Sequence, residues 1–364
     1  MLSGPSVIVW LVLAQAQVAA PTVQAKVLAD FKTKAEVKSA FLKLLDRPKV
    51  ALDVQTKPEV ADATTGLITE RLSFATEKKA DGQTERVPLM LIRPASAGGK
   101  RPAVIVLHGT GGNKEGMAHW LKELAGRGII GVAIDARYHG DRSGGAKGST
   151  AYVDAITRAW KAKPEDPKEY PFYYDTCWDL WRTIDYLQTR SDVDPKRIGM
   201  LGTSMGGIET WLAAAVDERV AVAVPAIAVQ SFKWSLENNA WQGRANTIKA
   251  AHEAAATDLK AERVNARVCM ALWNKVIPGI LGPFDCPSMI RLFAGRPLLI
   301  LNGEKDLNCP ITGAKIVFKA AETAFEESKT PDRLKIMVAG GVGHAVPPQQ
   351  ADAALDWFVR WLKP

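Results

Sequence analysis

Two rhythms of apolar residues alternate along this chain. Short aliphatic runs bounded by turn residues are followed by stretches whose apolar positions recur at helical spacing. That is the pattern of strands and crossover helices in a mostly parallel sheet. The runs are Val104–Leu107, Ile129–Ile134, Arg197–Leu201, Val220–Val224, Pro297–Leu301 and Leu334–Val338; Lys114–Arg127, Thr176–Thr189, Ile208–Val216 and Thr312–Ser328 read as helices between them. Leu67–Phe74 and Val87–Ile92 read as antiparallel opening strands around a polar turn at Asp81-Gly82. Further upstream, Leu28, Phe31, Val37, Phe41 and Leu44-Leu45 predict a helix over Val27–Leu45.

The alternation breaks twice. Arg137–Asp175 contains Gly144-Gly145, Pro164, Pro167 and Pro171 and reads as a long irregular segment. Between Gln230 and Arg296 the chain is far longer than one crossover needs, and it holds a predicted helix over Ala245–Glu262. The resulting division is an apolar leader over 1–25, an N-terminal helical extension over 26–66 and one α/β domain over 67–364. Residues 230–296 form an inserted lid within that domain. In such sheets the connections at the carboxyl ends of the strands surround the binding crevice, so the insertion is expected above it. Trp234, Trp241 and Trp273 are then candidates for lining a substrate pocket, with the insertion's own small core as the alternative.

The strongest chemical signal is Arg197-Ile-Gly-Met-Leu-Gly202-Thr203-Ser204-Met205-Gly206, a strand entering a Gly-x-Ser-x-Gly turn that opens a helix. Glycine at 202 and 206 lets strand and helix approach closely, and the turn lifts the Ser204 hydroxyl clear of the sheet edge. A serine hydroxyl needs a base, and the base needs a carboxylate to hold its tautomer. In this arrangement the order is serine, acid, histidine. His344, in Gly340-Gly-Val-Gly-His344-Ala after the run ending at Val338, is the suitably placed histidine. His252 lies in an alanine-rich pattern with charges and reads as a surface helix residue. For the acid, Pro297–Leu301 ends in Asn302-Gly303-Glu304-Lys305-Asp306. Asp306 is the candidate and Glu304 its rival.

An oxyanion hole completes the set. Val104–Leu107 is followed by His108-Gly109-Thr110-Gly111-Gly112, whose glycines free a backbone N–H to face a carbonyl oxygen. The predicted donors are the N–H groups of Met205 and Thr110, with Gly111 as a substitute for Thr110 and as a further substrate contact. Tyr138 and His139 follow the Ile129–Ile134 strand at the same edge, and are substrate-contact candidates with loop packing as the equal alternative. The glycine-rich turn matches neither dinucleotide- nor phosphate-loop spacing.

These motifs resemble the α/β-hydrolases, nearest to the dienelactone-hydrolase and prolyl-oligopeptidase-like branch that includes many bacterial carboxylesterases and acetyl esterases. His108-Gly109, Asp135-Ala-Arg-Tyr-His-Gly140, Asp194-Pro-Lys-Arg-Ile-Gly199, Gly202-x-Ser204-x-Gly206, Gly303-x-x-Asp306 and Gly343-His344 carry the resemblance. It implies an α/β-hydrolase fold and a serine carboxylesterase acting through an acyl-enzyme on small-molecule esters, with no cofactor and no metal. Dienelactone hydrolases carry a cysteine nucleophile where this chain has Ser204, which disfavours that reaction. A peptidase or amidase using the same residues is the alternative, and a non-catalytic binding protein on the same scaffold is a more distant one.

Charge and composition change this picture little. Of 364 residues, 47 are Lys or Arg and 39 Asp or Glu, a net charge of +8. The excess is spread along the chain, unlike the clustered charge of a nucleic-acid site. Val7–Leu13 is an apolar run followed by Ala14-Gln15-Ala16, a small-x-small pattern that predicts export. The run is shorter than a membrane span requires, so no stable span is expected after processing. The four cysteines at 177, 269, 286 and 309 show no Cys-x-x-Cys spacing. In an exported chain a Cys269–Cys286 or Cys286–Cys309 disulfide is plausible, while Cys177 reads as a buried free thiol.

Overall fold

A computed structural model describes residues 33–96 and 98–363. In chain order the elements are α1 (Lys34–Leu44), β1 (Gln55–Thr56), β2 (Val60–Asp62), β3 (Leu67–Lys78), β4 (Thr84–Pro94), β5 (Arg101–Leu107), α2 (Ala118–Gly126) and β6 (Ile130–Ile134). Then follow α3 (Thr150–Lys161), α4 (Tyr174–Thr189), β7 (Val193–Thr203), α5 (Met205–Val216) and β8 (Val220–Ala226). The insertion contributes α6 (Phe232–Glu237), α7 (Gln242–Asn246), α8 (Lys249–Asp258), α9 (Ala266–Val276) and α10 (Cys286–Ile290). The chain closes with β9 (Leu298–Gly303), α11 (Ile311–Glu327), β10 (Leu334–Ala339) and α12 (Pro348–Leu362).

Among the described residues the strands form one ten-stranded sheet in the order β1-β3-β4-β6-β5-β7-β8-β9-β10, with β2 paired to β3. β3, β4 and β6 pair antiparallel, and from β6 onward every pairing is parallel. The parallel strands are buried on both faces, which explains their unbroken aliphatic runs. Val104, Val106, Leu201, Val224 and Leu299 meet Leu121 and Leu124 of α2 and Phe358 and Leu362 of α12 on one side. On the other side lies α5, all of whose twelve residues are buried; apart from Glu209 and Thr210 they are apolar or glycine, as an enclosed helix requires.

Several expectations need correction. The stretch after α1 is not helical: β1 and β2 extend the sheet. The leader and residues 26–32 lie outside the described residues. Within Arg137–Asp175 the structure has a helix, α3, whose Tyr152, Ala155 and Ile156 face inward; the flanking glycines and prolines mask it in the sequence. The helix expected over Ala245–Glu262 is split into α7 and α8 at Thr247-Ile248. The described residues contain no disulfide bond: all four cysteines are free and buried. His252 is buried, not on the surface, and its Nε2 accepts the Trp273 indole N–H at 3.0 Å.

Asp285 anchors the insertion. Its carboxylate accepts from the Ser231 hydroxyl (2.6 Å) and from the backbone N–H groups of Phe232 (2.8 Å), Lys233 (3.3 Å) and Cys286 (2.8 Å). One buried side chain thereby caps both α6 and α10, joining the start of the insertion to its end. Among the described residues no helix is long and apolar enough to cross a membrane.

Candidate active site

β7 delivers Ser204 at its carboxyl end in a backbone conformation that L-residues rarely adopt, φ +56°. The elbow persists because its neighbours have no side chains: a Cβ on Gly202 would lie 2.1 Å from the Gly206 carbonyl oxygen, and one on Gly206 would lie 2.7 Å from the His108 oxygen. Met205 opens α5, so its N–H is among those without an intrahelical acceptor.

β9, beside β8, and β10, beside β9, run parallel to these neighbours and supply the loops carrying Asp306 and His344 at their carboxyl ends. His344 Nε2 lies 2.7 Å from Ser204 Oγ, and His344 Nδ1 lies 2.7 Å from Asp306 Oδ2. An ionised carboxylate only accepts, so Nδ1 carries the proton, and the serine hydroxyl donates to Nε2. The other Asp306 oxygen accepts the N–H groups of Asn308 (2.8 Å) and Cys309 (3.0 Å), which fixes the carboxylate within its own turn. Glu304, the rival acid, is exposed and accepts the Gly341 N–H at 2.7 Å.

The Gly109–Gly112 turn closes through Gly112 N–H to the Gly109 carbonyl at 3.0 Å. A Cβ on Gly109 would lie 3.5 Å from Ser204 Cβ, so this turn faces Ser204. His108 braces it. The Ala136 N–H donates to His108 Nε2 (3.2 Å), leaving the proton on Nδ1, which donates to the Gly109 carbonyl (2.8 Å). Asp135 joins the same loop to the end of β6 by accepting the Lys114 N–H (2.8 Å) and, through its other oxygen, the Lys114 ammonium (2.8 Å). Sequence reasoning had quoted Asp135 only as part of a motif; its position directly after a buried strand was the available signal.

The remaining candidates are held by contacts with other residues. Tyr138 donates to Glu169 (3.0 Å) and lies beneath the cations of Lys79 and Arg158. His139 is fully buried, donates from Nδ1 to the Arg137 carbonyl (2.8 Å) and lies between the tilted rings of His108 and Tyr152. Trp273 sits in the insertion's core against Phe232 and His252, and Trp234 packs over Gly313 of α11. Trp241 is nearly buried. Gly111 adopts φ +80° and abuts Gly148 and Ser149, a turn role.

Burial lowers the pKa values of His139 and His252 to about 4, keeping both neutral. The folded state therefore binds fewer protons than the unfolded state between pH 4 and the ordinary histidine value of 6.5. Stability is complete above pH 6.5 and is expected to fall as pH drops toward 4, read as a declining melting temperature. His252→Gln should flatten part of that slope, and an unchanged slope would exclude His252 as a contributor.

Comparison with known proteins turns this geometry into a class. The fold matches acetyl xylan esterase 1 from Thermoanaerobacterium sp. JW/SL YS485 over 92% of this chain and 95% of the other, with TM-score 0.63 and 19% identity. It also matches a glucuronoyl esterase from Solibacter usitatus over 92% of each chain, with TM-score 0.63 and 16% identity. In sequence the chain is 35% identical over 304 residues to YtaP of Bacillus subtilis (strain 168), spanning 76% of this chain and 84% of that protein. The molecule is an α/β-hydrolase that cleaves carboxylic esters. Residues 53–234 match the acetyl xylan esterase (AXE1) family, and the chain belongs to it.

Proposed function

We propose that Ser204, His344 and Asp306 are the catalytic triad of an esterase that removes short acyl groups, acetyl foremost, from polyhydroxylated alcohols such as sugars. The carrying observation is the continuous relay from hydroxyl to imidazole to carboxylate, 2.7 Å at each link. Ser204 Oγ attacks the ester carbonyl carbon while His344 takes its proton, and the N–H groups of Met205 and Thr110 hold the developing oxyanion. Each such donor is worth about 2.7–4 kcal/mol in the barrier. Collapse expels the alcohol, protonated by His344, and water then attacks the acyl-enzyme with His344 as base. Asp306 holds the imidazole tautomer throughout.

The family match supports acetyl as the acyl group. So does the packing of Phe232 and Trp273, which fill the insertion's core and are not free to wall a deep acyl channel. The insertion serves as a lid fixed at its base by Asp285, and the apolar leader directs export. A panel of p-nitrophenyl esters graded by acyl length tests the substrate reading. Acetate is expected to be the best substrate, with kcat/KM falling at least about 100-fold by octanoate. A preference rising with chain length would overturn it.

A further inference from the structure

Arg244 belongs to the insertion, yet its guanidinium is almost wholly buried against the turn that carries Asp306. Nη2 donates to the Asn308 carbonyl at 3.1 Å and contacts Cys309 Sγ at 3.3 Å. The planar cation also lies over the Phe232 ring, 5.6 Å from its centroid. The backbones press as closely as the side chains: a Cβ on Gly243 would lie 2.1 Å from the Leu307 carbonyl oxygen. α7 is therefore seated on the acid loop.

A buried cation is costly unless a negative charge compensates it. Burial works to lower the Arg244 pKa, but neighbouring groups, Tyr173, Cys309 and Asp306, raise it on balance. Burial pushes the Cys309 thiol up to about 12 and raises the Tyr173 hydroxyl as well, so both are neutral at ordinary pH. Asp306 is the carboxylate of that set. It already holds the N–H groups of Asn308 and Cys309, and Arg244 engages the carbonyl of the first and the sulfur of the second. Carboxylate and guanidinium thus hold one turn between them.

We propose that Arg244 is a positioning residue for ester hydrolysis: through the Asn308 carbonyl and Cys309 sulfur it fixes the turn that carries Asp306. This rests on the Ser204–His344–Asp306 reading. The ionisable groups that act on Arg244 are Tyr173, Cys309 and Asp306.

Arg244→Gln and Arg244→Lys test this in the full chain, with kcat and KM measured separately on p-nitrophenyl acetate. In R244Q kcat should fall at least about 10-fold with KM within about 2-fold, the pattern of lost orientation and not of lost binding. R244K keeps the charge, yet its kcat should also drop at least about 5-fold, since an ammonium cannot reproduce the planar contacts. If R244Q does not accumulate as folded protein, R244K decides: wild-type kcat there overturns the proposal. So does a folded R244Q whose kcat lies within about 2-fold of wild type. Activity surviving in Ser204→Ala would instead overturn the triad reading.

Discussion

Ser204→Ala is expected to lower kcat on p-nitrophenyl acetate by about 10⁴–10⁶ while leaving the melting temperature nearly unchanged. The reasoning is local. Alanine retains the Cβ and the strained backbone of residue 204, so strand, turn and helix need not move. What disappears is the oxygen 2.7 Å from His344 Nε2, the atom that would form the acyl-enzyme. The proposed Met205 and Thr110 donors and substrate binding are then expected to account for the residual rate above that of water. A fluorophosphonate probe should label the wild-type protein and not the variant. Turnover within tenfold of wild type would mean that another nucleophile operates and would remove the mechanism.

The largest effect on stability is expected at Asp179. This fully buried carboxylate accepts from Arg137 Nε (2.7 Å), Arg137 Nη2 (3.0 Å), Arg142 Nη1 (2.8 Å) and the Thr76 hydroxyl (2.9 Å). Arg137 also pairs with Glu77, and Arg142 with Glu85, so the network sews α4 to β3, β4 and the loop after β6. Burial works to raise the Asp179 pKa, but the two guanidinium groups overcome it and hold the carboxyl below the ordinary range. Its stabilisation is complete above the ordinary carboxylate value of 3.8 and is lost as pH falls through the lower folded value. Asp179→Asn leaves two buried guanidinium groups short of their counter-charge. Such disruptions cost about 3–5 kcal/mol, which denaturant unfolding should show as an earlier midpoint at neutral pH. A midpoint equal to that of wild type would show that Glu77 and Glu85 suffice.

The parallel core and the elbow were legible because each is a local pattern. An aliphatic run, two glycines around a serine and a helix-forming stretch specify β7 and α5 without reference to the rest of the chain. Asp306 and His344 could be singled out as candidates because strand ends place loops at one rim, so chain order narrowed the choice. What could not be read was packing between distant segments. Nothing near Arg244 announces that it will press on Asn308, and Asp179 looks like any helical acid until Arg137 and Arg142 arrive. The aromatic residues misled for a related reason. A tryptophan in an insertion can wall a pocket or fill a core, and Trp273 fills the core against Phe232, where His252, itself drawn inward, accepts its indole hydrogen. α3 was hidden by the glycines and prolines on either side of it.

The four sealed cysteines bear on how this chain can be handled. Burial raises the pKa values of all four thiols, those of Cys269 and Cys309 to about 12, so the folded protein presents little thiolate to alkylating or oxidising reagents. Each sulfur becomes a silent reporter that turns reactive only when its surroundings open, so the pace of thiol labelling in solution would time the breathing of the core.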